Sequence, residues 1–274
     1  MPIIKLTQGQ TLPTFALLDQ ILTVLGSTKT SLWPIVESTG SIIRTYGEAA
    51  HIFTMTDGGT GGFLPAQHVG MIQSYHFDET DSQHGAGEDH ADFSFAGGTD
   101  AAFSVGAWVN RDVAGAEQAI LAKYDVAGTL REWKFGITSG NKVQLELFDE
   151  SIADANAAVQ APGATSLTLN TWQFVVATYG GEGGAPGFSG SSMTMVIYLD
   201  GAADTGTVAG TGTDAYEDME DTATPVMLGA ADDTAGATIE MDGRIALPFI
   251  TGKALSAAEV VTIQGIGKTL LGLA

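Results

Sequence analysis

From Phe103 to Ala258 the chain is a succession of short apolar runs, each stopped by turn residues. The runs are Phe103 to Val109, Ala119 to Lys123, Trp133 to Ile137, Lys142 to Leu147, Thr171 to Tyr179, Met193 to Asp200, Thr224 to Gly229 and Asp242 to Leu247. They are rich in β-branched and aromatic residues and are bounded by Gly, Asp, Asn or Ser, which is the pattern of strands joined by tight turns. Val143, Leu145 and Leu147 point one way while Gln144 and Glu146 point the other, so one face of that strand is buried and one is wet. Ser139-Gly140-Asn141 suits a hairpin connection, and Asp200-Gly201 is a preferred pair for a type I′ turn. The expectation is an all-β, two-sheet antiparallel sandwich.

Charge narrows what such a domain can meet. The chain has 274 residues, and 32 acidic against 11 basic residues give a formal net charge of -21. No Lys, Arg or His lies between Lys142 and Arg244. A surface of this sign repels phosphate backbones and anionic headgroups, so neither nucleic acid nor a membrane is an expected partner. With no cysteine, the fold takes no support from disulfides. The early apolar run Phe15-Ala16-Leu17-Leu18 is cut by Asp19-Gln20 and follows a single charge, Lys5, unlike a secretory leader. The expectation is a chain made in a cytosol and left unprocessed.

Both ends stand apart from the sandwich. Residues 1–30 read as a short strand at Ile3–Leu6 and a helix from Thr14 to Leu25, with Thr14 as N-cap after Pro13 and Gly26 as the stop. A helix of about three turns is marginal alone, so its apolar side must dock on something. Residues 254–274 open on Ser256 with Glu259 three positions on, a capping box, and the helix is expected to stop at Gly265 or Gly267. Phe15, Leu18, Ile21, Leu22 and Leu25 at one end, with Leu270, Leu271 and Leu273 at the other, are the candidate assembly contacts.

Three stretches carry a family resemblance. Ser31-Leu32-Trp33-Pro34-Ile35-Val36-Glu37-Ser38-Thr39-Gly40 resembles the opening of laminin G-like domains, and Tyr75-His76-Phe77-Asp78 stands where they carry Phe-Asp-Gly. Ala254-Leu255-Ser256-Ala257-Ala258-Glu259-Val260 is similar to their characteristic ending. The resemblance is to the laminin G-like branch of the concanavalin A-like lectin/glucanase superfamily. It implies a jelly roll over residues 31–253 with helices only near 14–25 and 255–265. The opening and the Ile245 to Leu273 ending also resemble laminin G-like proteins of tailed-phage structural gene clusters. That implies a virion structural protein, a capsid decoration or tail-surface protein, homo-oligomeric and bound to major capsid or tail proteins. The other reading is an extracellular lectin-type module that binds a host-surface glycan.

Catalytic candidates are weak. Glucanases of the superfamily align three carboxylates on one strand as Glu-x-Asp-x-Glu, and here Glu146-Leu147-Phe148-Asp149-Glu150 has Phe148 in the middle position. Gly267-Lys268-Thr269 imitates the tail of a phosphate-binding loop but lacks the earlier glycine and the preceding strand. The expectation is a protein without catalysis and without a required cofactor. Asp78, Asp81, Glu88, Asp89 and Asp92, with His84 and His90, form the ligand-dense segment. Carboxylates suit Ca²⁺ and imidazoles suit a transition metal. The family resemblance implies Ca²⁺ at Asp78 and an acid in the last strand. Ala246 stands in the acid's place, so any calcium near Asp78 and Asp81 is expected to be weakly held. Of the four tryptophans, Trp33, Trp133 and Trp172 read as core. Trp108 alternates opposite to Val105 and Val109 and is the candidate for stacking on a sugar.

Overall fold

The computed structural model describes residues 12–37, 40–56, 71–151, 158–184, 193–206, 216–232 and 239–273. The strand expected at Ile3–Leu6 and the glycine-rich turn at 57–62 lie outside the described residues.

Two antiparallel sheets face each other. The first contains seven strands: β1 (Thr30–Leu32), β4 (Tyr75–Phe77), β6 (Phe103–Arg111), β11 (Gln173–Tyr179), β12 (Met195–Leu199), β13 (Ala202–Ala203) and β15 (Gly243–Thr251). Their order is β1-β15-β6-β11-β12-β13, with β4 also paired to β15. The second contains eight: β2 (Ile42–Arg44), β3 (Ile52–Thr56), β5 (His84–Ala86), β7 (Gln118–Lys123), β8 (Trp133–Ile137), β9 (Lys142–Phe148), β10 (Ala158–Ser166) and β14 (Val226–Leu228). These run β10-β9-β8-β7-β14-β5-β3-β2. The two-sheet antiparallel sandwich expected from the turn-bounded runs, and the jelly roll that the family resemblance implies, are therefore the observed fold. β10 holds Pro162 within its strand, which an edge position tolerates because a proline cannot donate to a second neighbour.

Period-2 alternation builds the core between the sheets. Val105, Val109, Val175, Ala177, Ile197 and Ile245 from one sheet meet Leu121, Trp133, Phe135, Val143, Leu145 and Leu147 from the other. Each such buried aliphatic contributes about 1.5–3 kcal/mol. The turns behave as their residues require. Asp200 and Gly201 both take positive φ, 49° and 81°, as a type I′ pair must.

The alternate residues of the seven-stranded sheet, Trp108, Phe174, Val176, Tyr198, Ala246 and Phe249, face outward and are covered by two helices. Helix α1 (Leu12–Leu25) buries Leu18, Ile21 and Leu25 there completely, and Phe15 stacks on Tyr46 at 5.9 Å between ring centroids. Helix α2 (Ala257–Leu271) buries Val260, Ile263, Leu270 and Leu271 in the same cluster, with Leu22 and Leu273 packed against it. The expected capping box is present at Ser256 and Glu259.

Two expectations about the ends are corrected here. The apolar faces of the terminal segments are used within their own subunit, because the outward face of the sheet is itself apolar and needs cover. Helix α2 also runs through Gly265 and Gly267 to stop at Gly272 with φ 68°. Gly267 is a packing residue rather than a stop: a Cβ there would lie 2.2 Å from Trp108 Nε1, so only glycine lets the helix lie this close to the sheet.

Candidate functional site

An open cleft of about 710 Å³ lies where the end of α2 meets the outer face of the seven-stranded sheet. That volume suits a small ligand. β6 contributes Trp108 and Asn110 to it, and β15 contributes Arg244. The turn before β11 brings Asn170, Thr171 and Trp172, the β12–β13 turn brings Asp200, and α2 and the residues after it bring Gln264, Lys268 and Leu273.

Local chemistry fixes these residues. Asn170 sits in the left-handed region at φ 55°, which an Asn side chain tolerates, and its N–H donates to the Arg111 carbonyl at 2.8 Å. Thr171 Oγ1 donates to the Leu169 carbonyl at 3.2 Å. The turn thereby leaves Trp172 half-buried at the cleft. Asp200 is anchored from the other side, its Oδ1 accepting from Phe174 N–H at 2.9 Å. At the inner end, Trp108 Nε1 and Asn110 Oδ1 are a buried donor and a buried acceptor without a hydrogen-bond partner among the described residues.

Its charge is unusual for this protein. Five basic side chains are spent in ion pairs: Arg44 with Glu37, Lys123 with Glu132 and Asp89, Arg131 with Glu150, Lys134 with Glu117 and Glu146, and Lys253 with Glu259. Arg244 and Lys268 both line the cleft, and Lys268 forms no ion pair with the described residues. An anionic ligand would meet two cations there, with Asp200 as the single acid.

Sequence expectations fare unevenly. Trp108 does point to the opposite side from Val105 and Val109, but α2 covers it, and at 1% exposure its ring cannot serve as an open stacking face. Trp33 and Trp133 are fully buried, as expected, whereas Trp172, also expected in the core, is half-buried at the cleft. The signal available in the sequence was its place directly after the Asn170-Thr171 turn. Glu146 and Glu150 go to different cations, Lys134 and Arg131. Gly267-Lys268-Thr269 lies inside a helix that covers a sheet.

The ligand-dense segment resolves into separate local roles. Asp78 caps the short 3₁₀ turn at Glu79–Asp81, its Oδ1 accepting from Thr80 N–H at 2.9 Å and Thr80 Oγ1 at 2.6 Å. These hydrogen bonds hold its carboxyl below the usual value. Nearby, burial first and then the charges of Glu79, Asp112 and Asp78 raise the Asp242 carboxyl. Asp78 and Asp81 do not join a three-ligand group among the described residues, and Ala246, in the expected acid's place, is fully buried opposite Trp108. Asp89 pairs with Lys123 at 3.1 Å, and His84 Nδ1 lies 3.0 Å from the Ser82 carbonyl. Glu88, His90 and Asp92 turn instead toward His51, which the sequence reading left out.

A further acid, Asp100, is buried. Asp100 accepts from Tyr179 at 2.8 Å, Tyr216 at 2.6 Å and Met219 N–H at 2.9 Å. Burial nevertheless raises its carboxyl above the ordinary value, the hydrogen bonds offsetting part of the effect.

Comparison with known proteins agrees with the fold. A family model described as the concanavalin A-like lectin/glucanases superfamily matches residues 85–261, more than half of the chain. No curated protein matches it. Among solved structures, the botulinum neurotoxin serotype G binding domain is similar at a TM-score of 0.56 and 14% identity, covering 88% of this chain and 51% of that one. The botulinum neurotoxin serotype D ligand binding domain in complex with N-acetylneuraminic acid is similar at a TM-score of 0.56 and 12% identity, covering 89% and 52%. This chain thus spans about half the length of those domains.

Proposed function

We propose a non-enzymatic glycan-binding role, from the premise that this chain belongs to the concanavalin A-like lectin/glucanases superfamily. The observation that carries the reading is the cleft beside Trp172. It combines an aromatic edge, the amides of Asn110, Asn170 and Gln264, and two cations in a strongly acidic protein. Sugars are recognised by this mixture, because their C–H faces stack on aromatic rings while their hydroxyls exchange hydrogen bonds with amides. Lys268, which forms no ion pair with the described residues, and Arg244 on the same cleft favour a glycan bearing a carboxylate, because a charged acceptor makes the stronger hydrogen bonds with cations. A domain of the same fold is in complex with N-acetylneuraminic acid, a sugar of this class. At 12% identity that likeness lends the fold and no residue positions.

The virion reading rests on terminal segments free to dock on a capsid or tail. With α1 and α2 packed on their own sheet, that support is withdrawn, although a glycan-binding domain is compatible with a virion surface. The assigned carboxylates that resemble a glycosidase pair are held by Lys134 and Arg131, which supports binding rather than hydrolysis.

A glycan array carrying matched acidic and neutral oligosaccharides tests the proposal. The expected result is retention on carboxylated glycans, lost in Trp172→Ala and Lys268→Glu. Retention that both variants leave unchanged places the site elsewhere, and no retention on any glycan overturns the reading.

A further inference from the structure

The histidine that the sequence reading omitted has an arrangement of its own. His51, just before β3, is buried, with its side chain only 7% exposed. Its Nδ1 lies 2.7 Å from Glu88 Oε1 and its Nε2 lies 3.0 Å from Asp92 Oδ2. His90 Nδ1 lies 3.5 Å from the same Asp92 oxygen, and the two imidazole centroids are 4.6 Å apart. One ligand atom each from His51, His90 and Asp92 falls within 4.8 Å of the others. Phe93 packs beside His51 at 4.7 Å, walling the inner side with a hydrocarbon surface.

A neutral imidazole donates from one nitrogen and accepts at the other. His51 has a carboxylate against each nitrogen, so it meets both either as an imidazolium or, when neutral, with a cation in place of one proton. A divalent cation between His51 Nε2 and Asp92 Oδ2 takes that place, with His90 Nδ1 as third ligand in exchange for the hydrogen bond it accepts from Asp92 N–H at 3.1 Å. Around a tetrahedral zinc ion with metal–ligand bonds of about 2.0–2.1 Å, neighbouring ligand atoms sit about 3.3 Å apart. The observed 3.0 and 3.5 Å separations bracket that edge. Glu88, accepting from Nδ1, would then hold His51 in the tautomer that turns Nε2 to the metal, as outer carboxylates do at histidine ligands.

We infer that His51, His90 and Asp92 form a zinc-type cation site, with Glu88 as the positioning residue for His51. Two nitrogens and one oxygen match zinc or a neighbouring transition ion better than calcium, which prefers six to eight oxygens. His90 and Asp92 are partly exposed, so solvent reaches the fourth position. A bound ion would clip the segment after β5 to the chain just before β3, two parts of the chain 37 residues or more apart. The inference does not depend on the glycan cleft, whose residues are different.

Calorimetric titration of the chelator-treated full chain with zinc chloride tests it, with cobalt absorption reporting nitrogen ligation. One ion per chain is expected. His90→Ala and Asp92→Asn should weaken binding at least tenfold, and Glu88→Gln by about tenfold. His84→Ala serves as the surface-histidine control and should change nothing. The metal-free His90→Ala protein should melt with the metal-free wild type, because that side chain is half exposed. Absence of zinc uptake at micromolar concentration overturns the site. So does uptake indifferent to His90→Ala and Asp92→Asn, uptake lost in His84→Ala, or displacement of zinc by equimolar calcium.

Discussion

The two sheets bury their facing sides alike, but their outer sides differ. The seven-stranded sheet turns Trp108, Phe174, Val176, Tyr198 and Phe249 outward, and two helices cover them. The eight-stranded sheet carries across its outer side a cross-strand row of Ala122, Lys134 and Glu146. There the charges neutralise each other: Lys134 lies 2.7 Å from Glu146 and 2.6 Å from Glu117, and 5.0 Å above the Tyr124 ring. Burial alone would lower the Lys134 pKa, but those two carboxylates together raise it above the ordinary value. One face therefore needs its helices, and the other does without. The helices of the first face in turn create the cleft, since α2 supplies one of its walls.

The largest test of this contrast is removal of residues 1–26. If α1 is a core element of its own subunit, the truncated chain loses cooperative unfolding and exposes the sheet. A truncated chain that melts like the whole protein would return α1 to the role of a free docking arm. Ile263→Ala, which opens a void between α2 and the sheet, should destabilise by about 2–5 kcal/mol in denaturant titration. On the opposite face, Lys134→Met combined with Glu146→Gln, which removes both charges of the buried pair, should cost less, about 1–2 kcal/mol. Glu117 is half exposed there, so water screens part of the charge that is left. If the two variants cost the same, the contrast between the faces is not energetic.

A smaller effect belongs to Asp100. Its folded carboxyl is raised above the ordinary 3.8, so the native state holds that proton to higher pH than the unfolded chain does. Its contribution is fully present below the ordinary value and is lost as pH rises through the folded one. Melting temperatures measured between about pH 4 and 7 should therefore show wild type losing ground to Asp100→Asn as pH increases. A gap that widens in favour of wild type would mean that the Tyr179, Tyr216 and Met219 hydrogen bonds outweigh burial.

The sandwich was legible because strand pattern is local: period 2, hairpin residues and Asp200-Gly201 each act within a few positions. The ends of the elements were less so. Gly265 and Gly267 look like stops, yet at Gly267 the close approach to Trp108 makes glycine necessary in mid-helix, a cause that exists only in the folded chain. Alternation put Trp108 on the correct side but could not show that a helix lies over it. Trp172 looked like core because it precedes an apolar strand, and its half-buried position is set by the turn before it. His51 escaped notice because its partners, Glu88 and Asp92, are 37 and 41 residues away.

Trp172 also provides the most direct test of the binding account, because Trp33, Trp108 and Trp133 are buried and Trp172 is the half-buried tryptophan at the cleft. Quenching of tryptophan fluorescence by acrylamide should reveal one accessible ring, absent in Trp172→Phe. Sialyllactose should protect that ring from quencher while lactose does not, and Lys268→Glu should abolish the protection. Equal protection by both sugars would remove the role given to Arg244 and Lys268. Quenching that neither sugar alters, in a protein whose Trp172 is shown to be accessible, would contradict the assignment of the cleft as the glycan site.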